Sequence, residues 1–469
     1  MMNFKQYENS CTAINIGRSV QTSSLTWRHT FGYMNNIKTA SLPDSCIFMN
    51  STFSNCHGME TACCGNGVTI MEETFRNCSK LVTAACGPNV VYMNNTYINC
   101  HNLAYPACGP NVVNMSNTYY NCSNIKVAVC GPNVLHMNSV YDNCASLTDA
   151  ACGPNVVVMS GTYENCGRLI NAACGERVWA MYSTYSDCTS LTEPVCGPNV
   201  QRMSYTYQRC TNLINPICGP NVTEMDGTYQ HCSNILIPVC GPNVVSMKYT
   251  YNNCANLTVA VCGQKVLALD CTYNNCVNLT KAVCGPNVIS MNTAYRNCSK
   301  LTTPVCGYYV EKMQNTYANC QNLTTAVCGN MVTNMFNTYS NCYNLTTPVC
   351  GNNVTTFSWA YENCKNLTSA VFGSNVQYAW SAYRNCPNIK GRVNVYSPNI
   401  KGMSSCFSNR NTTEALNLYV LNNSTTLNTC LYNNSDSIFG ANVEWTYDST
   451  NSRYYNATYN TYIYVINNF

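Results

Sequence analysis

Apolar residues in this chain recur in columns spaced 22 residues apart, with polar residues filling the gaps. One column holds Met49, Met71 and Met93 and runs to Met335, broken by Leu269 and followed by Phe357. A second is aromatic: Phe53, Phe75, Tyr97, then Tyr on to Tyr383. Leu or Ile follows at Leu103, Ile125, Leu147 and Leu169, and Val at Val68, Val90, Val112 and on to Val376. Two cysteine columns run beside them. The cysteine of "NC" spans Cys56 to Cys386 in sixteen copies, and that of "CG" spans Cys64 to Cys350 in fourteen, without insertion or deletion.

A 22-residue period is too short for paired-helix repeats, which need roughly 33 residues or more. It suits a short strand, a turn and a second short arm. One such coil cannot bury its own apolar side, whereas a stack of coils can. The pattern therefore predicts a solenoid, a stack of about 17 coils with one parallel β-sheet face, about 80 Å long at the usual strand spacing. Tyr97, Cys100, Leu103, Cys108, Val112 and Met115 are the core positions of one coil. The corner reads "CGPNV" in eight copies. Gly tolerates unusual dihedrals, Pro presets the first turn residue and Asn accepts the left-handed region. "CGERV" and "CGQKV", at Cys174 and Cys262, keep the Gly and drop the Pro, so the Gly is the stricter requirement.

The ends depart from the pattern. Residues 1–20 form an N-terminal segment outside the repeat, and 21–410 form the solenoid. Its first coil is a degenerate cap with Trp27 in the Met column, Phe31 in the aromatic column and Met34 in place of Cys. Its last coil carries two extra residues, with Phe407 in the aromatic column and Arg410 in place of Cys. Residues 411–469 lose the period and predict a small C-terminal β-rich unit that caps the open end or docks it to a partner.

Composition narrows the function classes. Charged residues are 9% of the 469-residue chain and the net charge is +4, against roughly 25% charged in an ordinary domain. No basic run stands out, so nucleic-acid binding is not expected. No long apolar window predicts a membrane span. The N-terminal "MMNFKQYENSCTAINIGRSV" has no continuous apolar core of the secretory type. The expected location is extracellular or a virion surface, reached by another route or by release with a particle. Sequons such as "NLT" at Asn256, Asn278, Asn322, Asn344 and Asn366 then read as a by-product of Asn/Thr-rich composition.

The two ladders hold 30 of the 36 cysteines, and three readings of them compete. They are packed free thiols, a disulfide framework or metal ligands. The C-x7-C spacing and five scattered His lack the pattern of a metal site. No metal or cofactor is expected. Pairing along a ladder joins neighbours two by two and would disturb the uniform stacking that the period implies. Cys11, Cys46, Cys63, Cys271, Cys406 and Cys430 lie outside the ladders, and an isolated disulfide would fall among them.

The repeat resembles the BspA-type leucine-rich repeat. The likeness rests on the whole coil: Tyr97, Cys100, Leu103, Pro106, Cys108, Val112 and Met115 occupy the family's Phe, Cys, Leu, Val, Ile, Val and Ile offsets. It departs by placing Cys and Met where Ile is usual and by a 22-residue period where 23 is common. The resemblance implies a curved solenoid used in adhesion or ligand binding, with the first cysteine packed in the core.

No constellation of nucleophile, base and acid recurs, so an enzyme is not expected. Alternation after Leu103 favours Pro106 and Cys108 inward and the residue before "CG" outward; in the reversed register that residue is core and Cys108 faces out. That column contains Val129, Val195, Ile217, Val239, Val261 and Val283 and would form an apolar stripe on the strand face. Beside it runs a variable column: Tyr105, Val127, Asp149, Asn171, Glu193, Asn215, Ile237, Val259 and Lys281. These two columns are the candidate binding face, for a second copy, other structural proteins, or a cell-surface glycan or protein. Three functional readings follow: a receptor-binding or decoration protein of a phage-like particle, a bacterial cell-surface adhesin, or a structural fibre subunit. If the ladders are packed thiols, titration in denaturant without reductant will return at least 30 free thiols per chain; a count far below that would establish disulfides.

Overall fold

The computed structural model describes residues 11–15, 26–422, 424–432 and 436–466. Most of the N-terminal segment 1–20 therefore lies outside the described residues. The chain divides into two compact units, Met1–Ile235 and Leu236–Phe469, and each is a stack of 22-residue coils.

The parallel pairing is present, but it forms continuous sheet only near the chain's two ends, first in the opening coils. There β1 (Ala13–Asn15), β2 (Thr39–Ser41) and β3 (Thr61–Cys63) form a three-stranded parallel sheet. Beyond them the coils touch through isolated parallel bridges in two ladders. One runs through Thr83, Tyr105, Val127, Asp149 and Asn171, with gaps, and the other through Phe48, Ile70, Tyr92, Asn114 and His136. In the second unit the corresponding ladders include Lys281↔Thr303 and Ser290↔Lys312. The single sheet face expected from the period is thus corrected to two narrow ladders.

The aromatic column explains the difference. Its rings stack face to face. Phe53 and Phe75 lie 5.7 Å apart, Tyr97 and Tyr119 5.4 Å, and in the second unit Tyr273 and Tyr295 5.5 Å. Each Tyr hydroxyl meets the backbone of the residue twelve positions earlier in its own coil. Tyr141 O–H donates to Val129 C=O at 2.8 Å and accepts from Val129 N–H at 2.8 Å. Tyr251 does the same to Val239 and Tyr273 to Val261. A backbone group so clamped has no need of a neighbouring strand. Where the ring is Phe, no hydroxyl exists and the equivalent residue lies in a strand. Ser41, twelve before Phe53, pairs with Cys63, twelve before Phe75. Val395, twelve before Phe407, pairs with Val420. Phe and Tyr are therefore not interchangeable in this column.

Two further polar columns are buried. Thr96 hydroxyl reaches Met71 C=O at 2.7 Å, and Cys100 thiol donates to Phe75 C=O at 3.1 Å, both in the preceding coil. In the second unit Thr272 reaches Met247 C=O at 2.7 Å and Cys298 reaches Tyr273 C=O at 3.1 Å. The threonine before the aromatic passed unnoticed in the sequence, although "TY" recurs there. Val140, Ala294 and Ala360 replace it with small apolar groups in the same buried place.

The corners hold by other means than dihedral freedom. Gly109 is not left-handed; a Cβ there would lie 2.9 Å from Gly87 O and 3.0 Å from Cys86 Sγ. Close approach of successive coils, rather than turn geometry, demands this glycine. The Asn of "GPN" is not left-handed either; Asn111 Nδ2 donates to Pro88 O of the preceding coil at 2.9 Å. Two columns are left-handed: the residue two before the aromatic, such as Asn95 at φ 58° and Asn117 at φ 54°, and the Asn of "NC", such as Asn99 at φ 60° and Asn121 at φ 59°. The amides of the "NC" Asn form a ladder, Asn77 to Asn55 at 2.7 Å and Asn99 to Asn77 at 2.7 Å. Asn tolerates this region better than most residues.

At the C-terminal end β4 (Gly391–Val395), β5 (Leu416–Leu421), β6 (Thr446–Asp448), β7 (Arg453–Asn456) and β8 (Thr461–Ile466) form one mixed sheet in the order β4-β5-β8-β7-β6. A short helix, α1 (Ser424–Cys430), sits between β5 and β6; the sequence pattern gave no sign of it. Phe407 stacks on Tyr383 at 5.9 Å. Arg410, in the cysteine position, is buried and donates to Asn411 C=O at 2.7 Å and Glu414 C=O at 2.8 Å. Replacing Tyr141 with Phe will orphan Val129 N–H and C=O and should cost about 1–3 kcal/mol, read by urea unfolding. Phe75→Tyr should give no matching gain, because Cys63 is already paired.

Candidate binding face

The face is built outward from Leu103, whose side chain is fully buried. The next two residues point to solvent and the one after turns inward. Tyr105 is 66% exposed and Val127 56% exposed, on backbone fixed by the bridges Thr83↔Tyr105 and Val127↔Asp149. In the same column Asp149 is fixed by Thr148 Oγ1 at 2.6 Å and Asn171 Nδ2 at 2.5 Å. Those two hydrogen bonds, Thr148 first, hold its carboxyl below the usual carboxylate range. Asn171, Glu193 and Asn215 are exposed beyond it in the column. In the second unit Ile237 is 66% exposed, with Leu236, Val259 and Lys281 also exposed. The variable column thus lies outward.

The other half of the candidate face does not form the expected stripe. Val129, Val195, Ile217, Val239, Val261 and Val283 are half-buried. Their backbones turn inward to the hydroxyls of Tyr141, Tyr207, Tyr229, Tyr251, Tyr273 and Tyr295. Strand alternation fails there because no strand extends past the bridge residue. Among the core positions, Tyr97, Cys100, Leu103, Val112 and Met115 are fully buried. Cys108 is half-buried, with its thiol inward, 3.5 Å from Met115 Sδ.

A second outward column escaped the sequence reading. It follows the buried Val of the corner: Leu135 and Trp179 in the first unit and Val245, Leu267 and Ile289 in the second are exposed, while Val91, Val113 and Val157 are half-buried. Its backbone is pinned coil to coil, as in Leu135 N–H to Val113 O at 2.9 Å. Trp179 is 40% exposed, and the Arg202 guanidinium lies 5.8 Å from its ring centroid. The signal was legible in the text as "NVV", "NVL" and "RVW".

All 36 cysteines are free thiols. Burial pushes the Cys86 and Cys108 thiols up to about 12 and also raises Cys100, each with a backbone hydrogen bond pulling the other way. Among the described residues no group of three or more His, Cys, Asp or Glu could hold a metal ion. No helix among them is long and apolar enough to cross a membrane.

Coils of one period, inward Leu, parallel bridges and an outward column of changing chemistry define a leucine-rich repeat scaffold, a class of generally non-enzymatic binding proteins. The BspA type leucine rich repeat region matches residues 3–126, 47–170 and 267–390, more than half of the chain. The chain belongs to that family. Among solved structures it is similar to a leucine-rich repeat protein of Bacteroides ovatus, at 13% identity and TM-score 0.44, over 81% of this chain and 86% of that one. A leucine-rich repeat protein of Eubacterium ventriosum is 17% identical, with TM-score 0.38, over 63% and 80%. InlJ of Listeria monocytogenes, whose functional domain includes a cysteine ladder, is 13% identical, with TM-score 0.23, over 78% and 86%. No curated protein matches the sequence.

The raised thiols set an alkaline limit. The folded chain keeps protons at Cys86 and Cys108 up to about pH 12, while an unfolded thiol releases its own near about 8.5. The unfolded state binds fewer protons in that window, so stability falls as pH rises. Circular dichroism across pH 8 to 12 should show cooperative unfolding within it, and iodoacetamide at pH 8 should modify exposed Cys63 well before Cys100.

Proposed function

We propose that the chain is a non-catalytic adhesin that acts at a cell surface and binds a protein partner through the exposed ladder column. One observation carries this reading. The column accepts Asp149, Asn171, Glu193 and Lys281 without harm to the coil, so the fold places no demand for apolar groups there. Tyr105 and Val127, and in the second unit Ile237 and Val259, are nevertheless apolar and exposed. Rigid, exposed aromatic and aliphatic side chains are the usual anchors of protein recognition. Location at the cell surface or in secretion is typical of the family. Neither the family nor the fold adds to the particle-borne appendage or the fibre subunit.

The test pairs two double variants, Tyr105→Ser with Val127→Ser and Ile237→Ser with Val259→Ser. Binding of labelled protein to intact cells and to immobilised extracellular-matrix proteins is measured for each beside the unaltered chain. Loss of an anchor pair should weaken binding by about thirtyfold, the equivalent of a 2 kcal/mol hot spot, with the thermal melt unchanged. Equal binding by both variants and the unaltered chain would reject this face.

A further inference from the structure

The Cys–Met neighbourhood is unused by the binding face. In the first unit Cys86 Sγ lies 3.6 Å from Met93 Sδ, Cys108 Sγ 3.5 Å from Met115 Sδ and Cys130 Sγ 3.6 Å from Met137 Sδ. At the start of the column Cys64 Sγ sits between two thioethers, 4.0 Å from Met49 Sδ and 3.8 Å from Met71 Sδ. The methionines are fully buried and the cysteines half-buried, so each thiol stands between the surface and its thioether. We propose that this sulfur column is a binding site for a monovalent soft cation, Cu(I) or its redox-inert analogue Ag(I), held in the coils that carry the pair by one Cys thiolate and its Met thioether.

Chemistry selects the ion. Thiolate and thioether ligands favour Cu(I) over oxygen-seeking cations. A metal–sulfur distance of about 2.3 Å lets one ion touch two sulfurs 3.6 Å apart at an open angle. Because no three His, Cys, Asp or Glu among the described residues could hold an ion, a site here must draw on thioethers. Charge points the same way. The thiol loses its proton to solvent as the metal–sulfur bond forms, and no electron moves. One thiolate with one monovalent ion is neutral and suits an apolar surrounding, whereas a divalent ion would leave a charge there. The chain carries its own contrast: in the coil of Cys262, Leu269 stands in the Met column and offers no sulfur.

The experiment titrates Ag(I) into the reduced full-length chain carrying Cys11→Ser and Cys63→Ser, which removes two accessible cysteines outside the ladders, the half-buried Cys11 and the exposed Cys63. Uptake is followed by thiolate-to-metal absorption in the ultraviolet and by proton release. The folded chain should bind several ions with one proton released for each. Substituting Met93, Met115 and Met137 together by Leu should weaken binding at those coils at least about tenfold, with packing kept because Met-to-Leu exchange is mild. Leu269→Met should add a site. Uptake only after unfolding in urea, or a triple variant that binds like its parent, would overturn the proposal.

Discussion

A single hydroxyl decides how each coil turns. From Tyr97 onward the Tyr O–H satisfies both backbone groups of the residue twelve positions back. Those groups would otherwise have to pair with the next coil, because buried amides cannot be left alone. With the clamp in place the chain leaves the ladder after one bridge residue and turns the corner. Without it the chain stays extended. Phe53 and Phe75 accompany β2 and β3, and Phe407 accompanies β4. The sheet is therefore confined to the ends by the chemistry of one column.

The C-terminal sheet follows the same rule. Val395 lies in β4 and recruits β5, which in turn pairs with β8. The buried Arg410 ties the segment together by donating to carbonyls that a single thiol could not reach. Burial lowers its pKa from the ordinary guanidinium value, the expected direction for a buried cation.

Within the coils the polar core enforces the strict period. Thr96, Cys100 and Tyr97 each depend on a carbonyl at a fixed offset, two of them one coil and three residues back. An insertion would move all three bonds at once. Glycines such as Gly109 add a steric limit at the corner. Residues that face water carry no such demand, and that freedom separates the variable column at Tyr105, Val127 and Asp149 from the columns that build the stack.

Read along the chain, the repeat already specifies the solenoid, its period and the core columns, because a strict repeat of apolar positions has few packing solutions. It also marked Tyr105, Val127 and Ile237 as outward, since two residues past a buried Leu cannot both be core. It misplaced Val129 and its column, for alternation assumes a strand and the Tyr141 clamp ends the strand there. Tertiary structure alone decided that the Gly serves close approach, that the "GPN" Asn holds a neighbouring carbonyl, and that Phe and Tyr mean different backbones. Each of these depends on an atom from another part of the stack, and a repeat read along the chain shows only which residues recur.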